Sequence, residues 1–180
     1  MNASTVAVSV TTEEYLSNPT YERYEYVDGA ALEMNVGTGP HSNAQLNCGS
    51  ILRQYFLKRG TGKAFTELRC QLVIGGRVRF YQPDVAVVLG STSVDFKFLD
   101  RAPDLAVEVR SPDDRLYELF RKAEDYFNAG TKAVWLVEPE EQCVYLLHSG
   151  SPTRILARGE TIDGGDVLPG FETPVDDFFA

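Results

Sequence analysis

Two carboxylates stand inside apolar runs. Asp84 opens Pro83-Asp84-Val85-Ala86-Val87-Val88-Leu89, and Glu108 lies within Pro103-Asp104-Leu105-Ala106-Val107-Glu108-Val109-Arg110. Both runs are rich in Val and Leu and too short for helices, which is the composition of buried neighbouring strands. A carboxylate there costs several kcal/mol unless a cation or a proton compensates it. The two are 24 positions apart (108 − 84), enough chain to turn back and lay the second strand beside the first. Side by side, they would converge on one hard cation, Mg²⁺ or Mn²⁺, with water and phosphate oxygens completing the octahedron. Such an ion polarises a phosphoryl group and lowers the pKa of water. Arg110 shares the strand face of Glu108 and suits charge developing on phosphate, or else a salt bridge.

The elements that must position these groups can be read in order. Thr11 or Thr12 before Glu13 and Glu14 predicts the start of a short helix ending near Asn18-Pro19. From Tyr21 to Asn35, Asp28-Gly29 marks a hairpin turn, with Glu25 and Glu33 on its two arms. From about His41 to Arg59, Ala44, Cys48, Ile51, Leu52, Tyr55 and Phe56 make one apolar stripe of a helix that Gly60 stops. Ala64 to Tyr81 predicts strands, with Gly75-Gly76 as a second hairpin turn and Arg77 and Arg79 on one side. Along the Glu108 strand, Leu105, Val107 and Val109 point one way to pack, while Asp104, Ala106, Glu108 and Arg110 carry charge on the other. A helix to Asn128, a strand from Ala133 to Val137 and its partner from Val144 to His148 follow, then short edge strands and a closing turn from Val175 to Phe179. Strand, strand, helix, strand after a strand-rich half predicts a mixed α/β (α+β) sheet with helices on its faces.

At 180 residues and 43% hydrophobic content the chain suits one domain. No apolar run approaches the eighteen or so residues a bilayer needs, and Met1 to Val10 lacks a basic stretch before an apolar one. Cys48, Cys70 and Cys143 match neither a zinc pattern nor a disulfide framework, so reduced thiols in a cytoplasmic protein are expected. The net charge of −9 argues against a polyanion partner. Within that average, Ser50 to Phe80 holds seven basic residues, including Arg69, Arg77 and Arg79, against one acid, Glu67. The segment is either a phosphate-binding face or solvated surface. A Ser-His-Asp or Cys-His hydrolase using His41 and His148 lacks a G-x-S-x-G elbow.

Pro83-Asp84, then Glu108-Val109-Arg110, resembles the P-D...(D/E)-x-K signature of the restriction-endonuclease-like superfamily, with Arg where that signature has Lys. The wider frame is more specific: Tyr24-Glu25-Tyr26-Val27-Asp28-Gly29, His41 opening a helix, Gln82-Pro83-Asp84-Val85, Pro103-Asp104-Leu105, Glu108 to Pro112, Lys122 with Tyr126 and Gly130, and Val134-Trp135-Leu136-Val137. Together these resemble the Uma2 family over about residues 12–178. The resemblance implies a restriction-endonuclease-like mixed sheet core with an N-terminal β-hairpin region, and a Mg²⁺- or Mn²⁺-dependent endonuclease acting on DNA as a homodimer. It implies metal ligation by Asp84, Glu108 and the Val109 carbonyl, a displaced catalytic lysine in Lys122, a catalytic part for Glu25 and Arg110, and substrate contact by His41. Helical spacing separately puts Lys122 on the shoulder of the Leu119, Ala123, Tyr126 stripe, within reach of Glu108. Two other readings fit the same residues: a catalytically inactive dimeric interaction protein on this fold, and a metal-assisted hydrolase of a small phosphoester.

Overall fold

The Asp84 and Glu108 strands do pair. Val85 to Val88 (β7 in chain order) and Leu105–Val109 (β8) are antiparallel, with Val85 opposite Val107, so Asp84 at the start of one lies across from Glu108 near the end of the other. The computed structural model describes residues 7–180, and most of the Met1 to Val10 leader reading lies outside the described residues. Before this pair come β1 (Ala7–Ser9), α1 (Thr12–Ser17), β2 (Tyr24–Val27), β3 (Ala30–Glu33), α2 (Gly39–Arg59), β4 (Lys63–Thr66), β5 (Cys70–Ile74) and β6 (Arg77–Tyr81). After it come α3 (Leu116–Asn128), β9 (Ala133–Glu138), β10 (Cys143–His148), β11 (Arg154–Ala157), β12 (Thr161–Asp163) and β13 (Glu172–Pro174).

Six strands form the central sheet in the order β11-β10-β9-β8-β7-β4. Every pairing in it is antiparallel except β8 with β9, which are parallel and joined by α3 as the crossover. A second sheet, β1-β3-β2-β6-β5, carries both hairpins. Its first turn has Asp28 at φ 48° and Gly29 at φ 88°, the paired left-handed conformation of a tight hairpin that Asp-Gly adopts readily. The α2 stripe of Ala44, Cys48, Leu52 and Phe56 packs on one face of the central sheet against Val85, Val107, Val109 and Trp135. Leu119, Ala123 and Tyr126 of α3 pack on the other, with Ala86, Ala106 and, from β5, Cys70 and Leu72.

That second layer corrects the expectation of one packed and one charged face on β8. All five residues of β8 are buried, Glu108 among them, because α3 and the β5–β6 hairpin roof the face that alternation alone leaves open. The three cysteines are buried and free, as their spacing predicts. Among the described residues, no helix is long and apolar enough to cross a membrane.

The second Pro-Asp serves the fold, away from the Asp84 and Glu108 end. Asp104 sits at the far end of the β7–β8 pair, where its carboxylate accepts from the Leu89 amide at 2.9 Å, Lys132 Nζ at 2.8 Å and Arg101 at 3.1 Å. Burial alone would raise its pKa, but Lys132, the Leu89 amide and Arg101 outweigh that and hold it below the ordinary aspartate value. A depressed pKa supplies stability above the ordinary aspartate range that is lost as pH falls through the folded value. Asp104→Asn is therefore expected to cost about 1–3 kcal/mol at neutral pH. The difference from wild type should vanish in strong acid, as followed by urea denaturation across pH, with the rate of any hydrolysis unchanged.

Candidate active site

Four elements deliver one constellation. Glu108 comes from β8, Lys122 and Tyr126 from successive turns of α3, Glu25 from β2, and Asp84 from the residue before β7. Lys122 Nζ lies 3.0 Å from Glu108 Oε2 and 2.7 Å from Glu25 Oε1, one ammonium shared by two carboxylates. Tyr126, fully buried, donates its hydroxyl to Glu108 Oε1 at 2.7 Å. The N-terminal sheet puts Glu25 in place: its Oε1 accepts the Gln82 amide at 3.0 Å, and the Gln82 side chain donates to the carbonyls of Glu22 and Tyr24 at 3.1 Å each.

Asp84 is turned the other way, towards α2. Its Oδ2 accepts the Val109 amide at 2.7 Å, and its Oδ1 lies 3.2 Å from His41 Nε2 in the first turn of α2. The hydrogen bond from Asp84, offset in part by burial, raises the His41 pKa above the ordinary histidine value. Asp84, Glu108, Val109, His41, Lys122 and Glu25 all line one cleft of about 790 Å³.

The electrostatics of this cleft are dominated by excess negative charge. Burial first, then the carboxylates of Glu25 and Asp84, push the Glu108 carboxyl up to about 8, although Lys122 and the Tyr126 hydroxyl pull it down. Burial lowers the Lys122 pKa, but Glu108 and Glu25 reverse this and leave it above the ordinary lysine value, so the amine is a cation at neutral pH. Its ammonium also lies 5.2 Å from the centre of the Tyr81 ring. Eleven lining side chains of the cleft are carboxylates and four are Lys or Arg.

Of the expected site residues, the structure brings together Asp84, Glu108, Lys122, Glu25, His41 and Val109. Arg110 is elsewhere: its guanidinium pairs with Glu138 at 2.5 Å and donates to the Asp114 carbonyl at 3.1 Å, locking the turn before α3. The basic segment does not make a common face. Arg69 donates to the Tyr21 carbonyl and stacks 4.6 Å over Tyr15, and Arg77 is exposed at a hairpin tip. Arg79 does line the cleft, but it is held between Asp28, at 2.7 Å, and Asp125, which also accepts the Tyr81 hydroxyl at 2.6 Å. Three residues at the site were not marked as such by the sequence: Gln82, Asp125 and, as a contact to Glu108, Tyr126. Gln82 and Tyr126 had a signal, the first beside Pro83-Asp84 and the second in its spacing of four from Lys122 on one helix face.

The donor set suits a hard divalent cation. The oxygens of Asp84 and Glu108 are the right ligands, and eleven carboxylates against four cations in the lining give a negative potential that such an ion would relieve. Among the described residues no three His, Cys, Asp or Glu side chains form a ready-made cage.

The profile of the Uma2 family, described as "Putative restriction endonuclease", matches residues 12–176. Among solved structures, the chain is similar to a protein from Anabaena variabilis ATCC 29413 described as "a putative nuclease belonging to DUF820". The TM-score is 0.80 and the identity 24%, covering 94% of this chain and 97% of that one, which shows a shared fold. No curated protein matches the chain.

Proposed function

Since this chain belongs to the Uma2 family of restriction-endonuclease-like proteins, we propose that it hydrolyses phosphodiester bonds of DNA in the cleft between α2 and α3. The observation that carries this reading is Lys122 at 3.0 Å from Glu108, with Asp84 on the paired strand end. Asp84 and Glu108, with the backbone at Val109, would hold Mg²⁺ or Mn²⁺. When bound, the ion supplies Lewis acidity that polarises the phosphoryl group and makes water a better nucleophile. Lys122, cationic at neutral pH, does not take the proton of the attacking water; it stabilises charge gathering on the phosphate oxygens. Glu25 holds that ammonium from the other side, and Tyr126 fixes the rotamer of Glu108. His41 holds Asp84 and presents its imidazole to the cleft.

Incubation of plasmid and oligonucleotide DNA with Mn²⁺ tests the proposal directly, with strand scission expected. Intact DNA together with no heat of Mn²⁺ binding in calorimetry would sink it. The raised Glu108 pKa makes the metal step pH-dependent. Below about 8 the acid must lose its proton before ligating, so Mn²⁺ affinity should rise by up to about tenfold per pH unit and level off above that value. Calorimetry in buffers of different ionisation enthalpy should show uptake of close to one proton by the buffer at pH 7. An affinity flat from pH 6 to 8 would exclude Glu108 as a ligand.

A second reading is favoured by the acidic lining itself, which opposes a long polyanion and suits a small phosphoester. Salt separates the two. DNA binding should weaken steeply as salt rises, whereas a small substrate's binding should barely change.

A further inference from the structure

A second depression, of about 970 Å³, continues the cleft past Glu22, Glu67 and Gln82, which line both. Its character is different. Phe65, Leu68 and Phe98 give it apolar walls, and its charged side chains are two acids, Glu22 and Glu67, against two cations, Arg69 and Lys97. One side is β4, the outermost strand of the central sheet. The Glu67 amide donates to the Asp84 carbonyl, which sets the alternation along β4: Phe65 bonds inward to β7, while the amides and carbonyls of Ala64 and Thr66 face the free edge. Ala64 and Thr66 both line the depression.

We infer that this hollow takes an unpaired nucleobase of the substrate strand, the one flanking the phosphate held at Asp84 and Glu108. The assignment rests on the phosphodiester reading above. Aromatic walls stack any base, because every base has a π-face. The free edge of β4 offers main-chain donors and acceptors to the base's polar rim. Lys97, exposed at the mouth, meets the next phosphate. Charge sets the direction of approach: a strand entering across the cleft meets eleven carboxylates, whereas one entering over the hollow meets a balanced surface. A peptide strand adding to β4 is the competing occupant. Two outward-facing residues give it little to pair with, and a peptide has no use for the adjoining phosphate chemistry.

The test uses the full chain with Ca²⁺ in place of Mg²⁺ and a single-stranded oligonucleotide in which one 2-aminopurine is moved along the sequence. One position should show strong fluorescence quenching on binding. Lys97→Glu, a change on an exposed side chain, should weaken oligonucleotide affinity at least tenfold and flatten its salt slope by about one. Phe65→Ala should abolish the quench, while calorimetric Mn²⁺ binding by both variants stays at the wild-type value. No quenched position, unchanged affinity in both variants, or no oligonucleotide binding by wild type would overturn the assignment. The hydrolytic reading fails separately: wild type that cleaves neither DNA nor bis(4-nitrophenyl) phosphate, yet still quenches one base, keeps the hollow and loses the nuclease.

Discussion

Replacement of Glu108 by glutamine is expected to lower DNA hydrolysis about a thousandfold, roughly 4 kcal/mol of transition-state stabilisation, the scale on which a lost metal ligand acts. The fold should survive, and above neutral pH it should gain. Glu108 is a buried acid whose folded pKa, about 8, lies above the ordinary glutamate value. The sign follows from linkage: a raised carboxyl contributes stability that is fully present below its unfolded pKa and is lost as pH rises through about 8. Glutamine keeps the shape and cannot ionise. It can still accept from Lys122 or Tyr126, so the variant's stability relative to wild type should climb from about pH 4 to about pH 8 and then level off. Urea denaturation at several pH values, beside plasmid nicking rates, reads both effects. A variant that cleaves at the wild-type rate removes Glu108 from the mechanism.

Lys122→Met should be the most destabilising single change at the site. It leaves Glu25 and Glu108, both within 3 Å of the ammonium, facing each other without a cation. Breaking a buried pair by removing one partner costs about 3–5 kcal/mol. The cost should grow as pH rises through about 8, where Glu108 ionises beside Glu25 with no cation to compensate it. Pairing the change with Glu25→Gln should recover most of the stability but not the rate, which stays down about a hundredfold or more because charge on the phosphate loses its cation. Lys122→Arg is not a conservative control here, since a planar fork does not fit where a point charge meets oxygens from two directions. Full activity in the double variant would show that Lys122 serves the fold alone.

Much of the architecture was legible because local signals agreed with tertiary demands. Asp28-Gly29, the α2 stripe ending at Gly60 and the α3 stripe all lie where spacing placed them. The pairing of the Asp84 and Glu108 strands followed from their composition and the chain between them. What sequence could not reveal is what covers a face. Alternation put Glu108 opposite Val107, yet only tertiary packing shows α3 and β5 closing over it. The same blindness misplaced the cations. Arg110 shares a strand face with Glu108, but one residue past the strand it meets Glu138 and leaves the cleft. A basic run in sequence scatters when a hairpin and a helix split it: Arg69 turns to Tyr21 and Tyr15, while Arg77 and Arg79 both face Asp28. Asp104 repeats the Pro-Asp of Asp84 and differs only in its neighbours, Lys132 and Arg101, which lie outside any motif.

Lys122 rides on the crossover between two parallel strands, and this has a bearing on time as well as geometry. Parallel pairing of β8 with β9 spans the whole of α3, and Glu25 comes from a different sheet, 97 positions before Lys122 (122 − 25). Contacts so distant in sequence slow folding, because loop-closure entropy must be met before they are made. The ammonium meets both carboxylates only when both pairings are in place, so a half-folded chain carries the side chains of the cleft without its geometry. If the cleft hydrolyses phosphodiesters as proposed, that activity would be held back until the fold is complete.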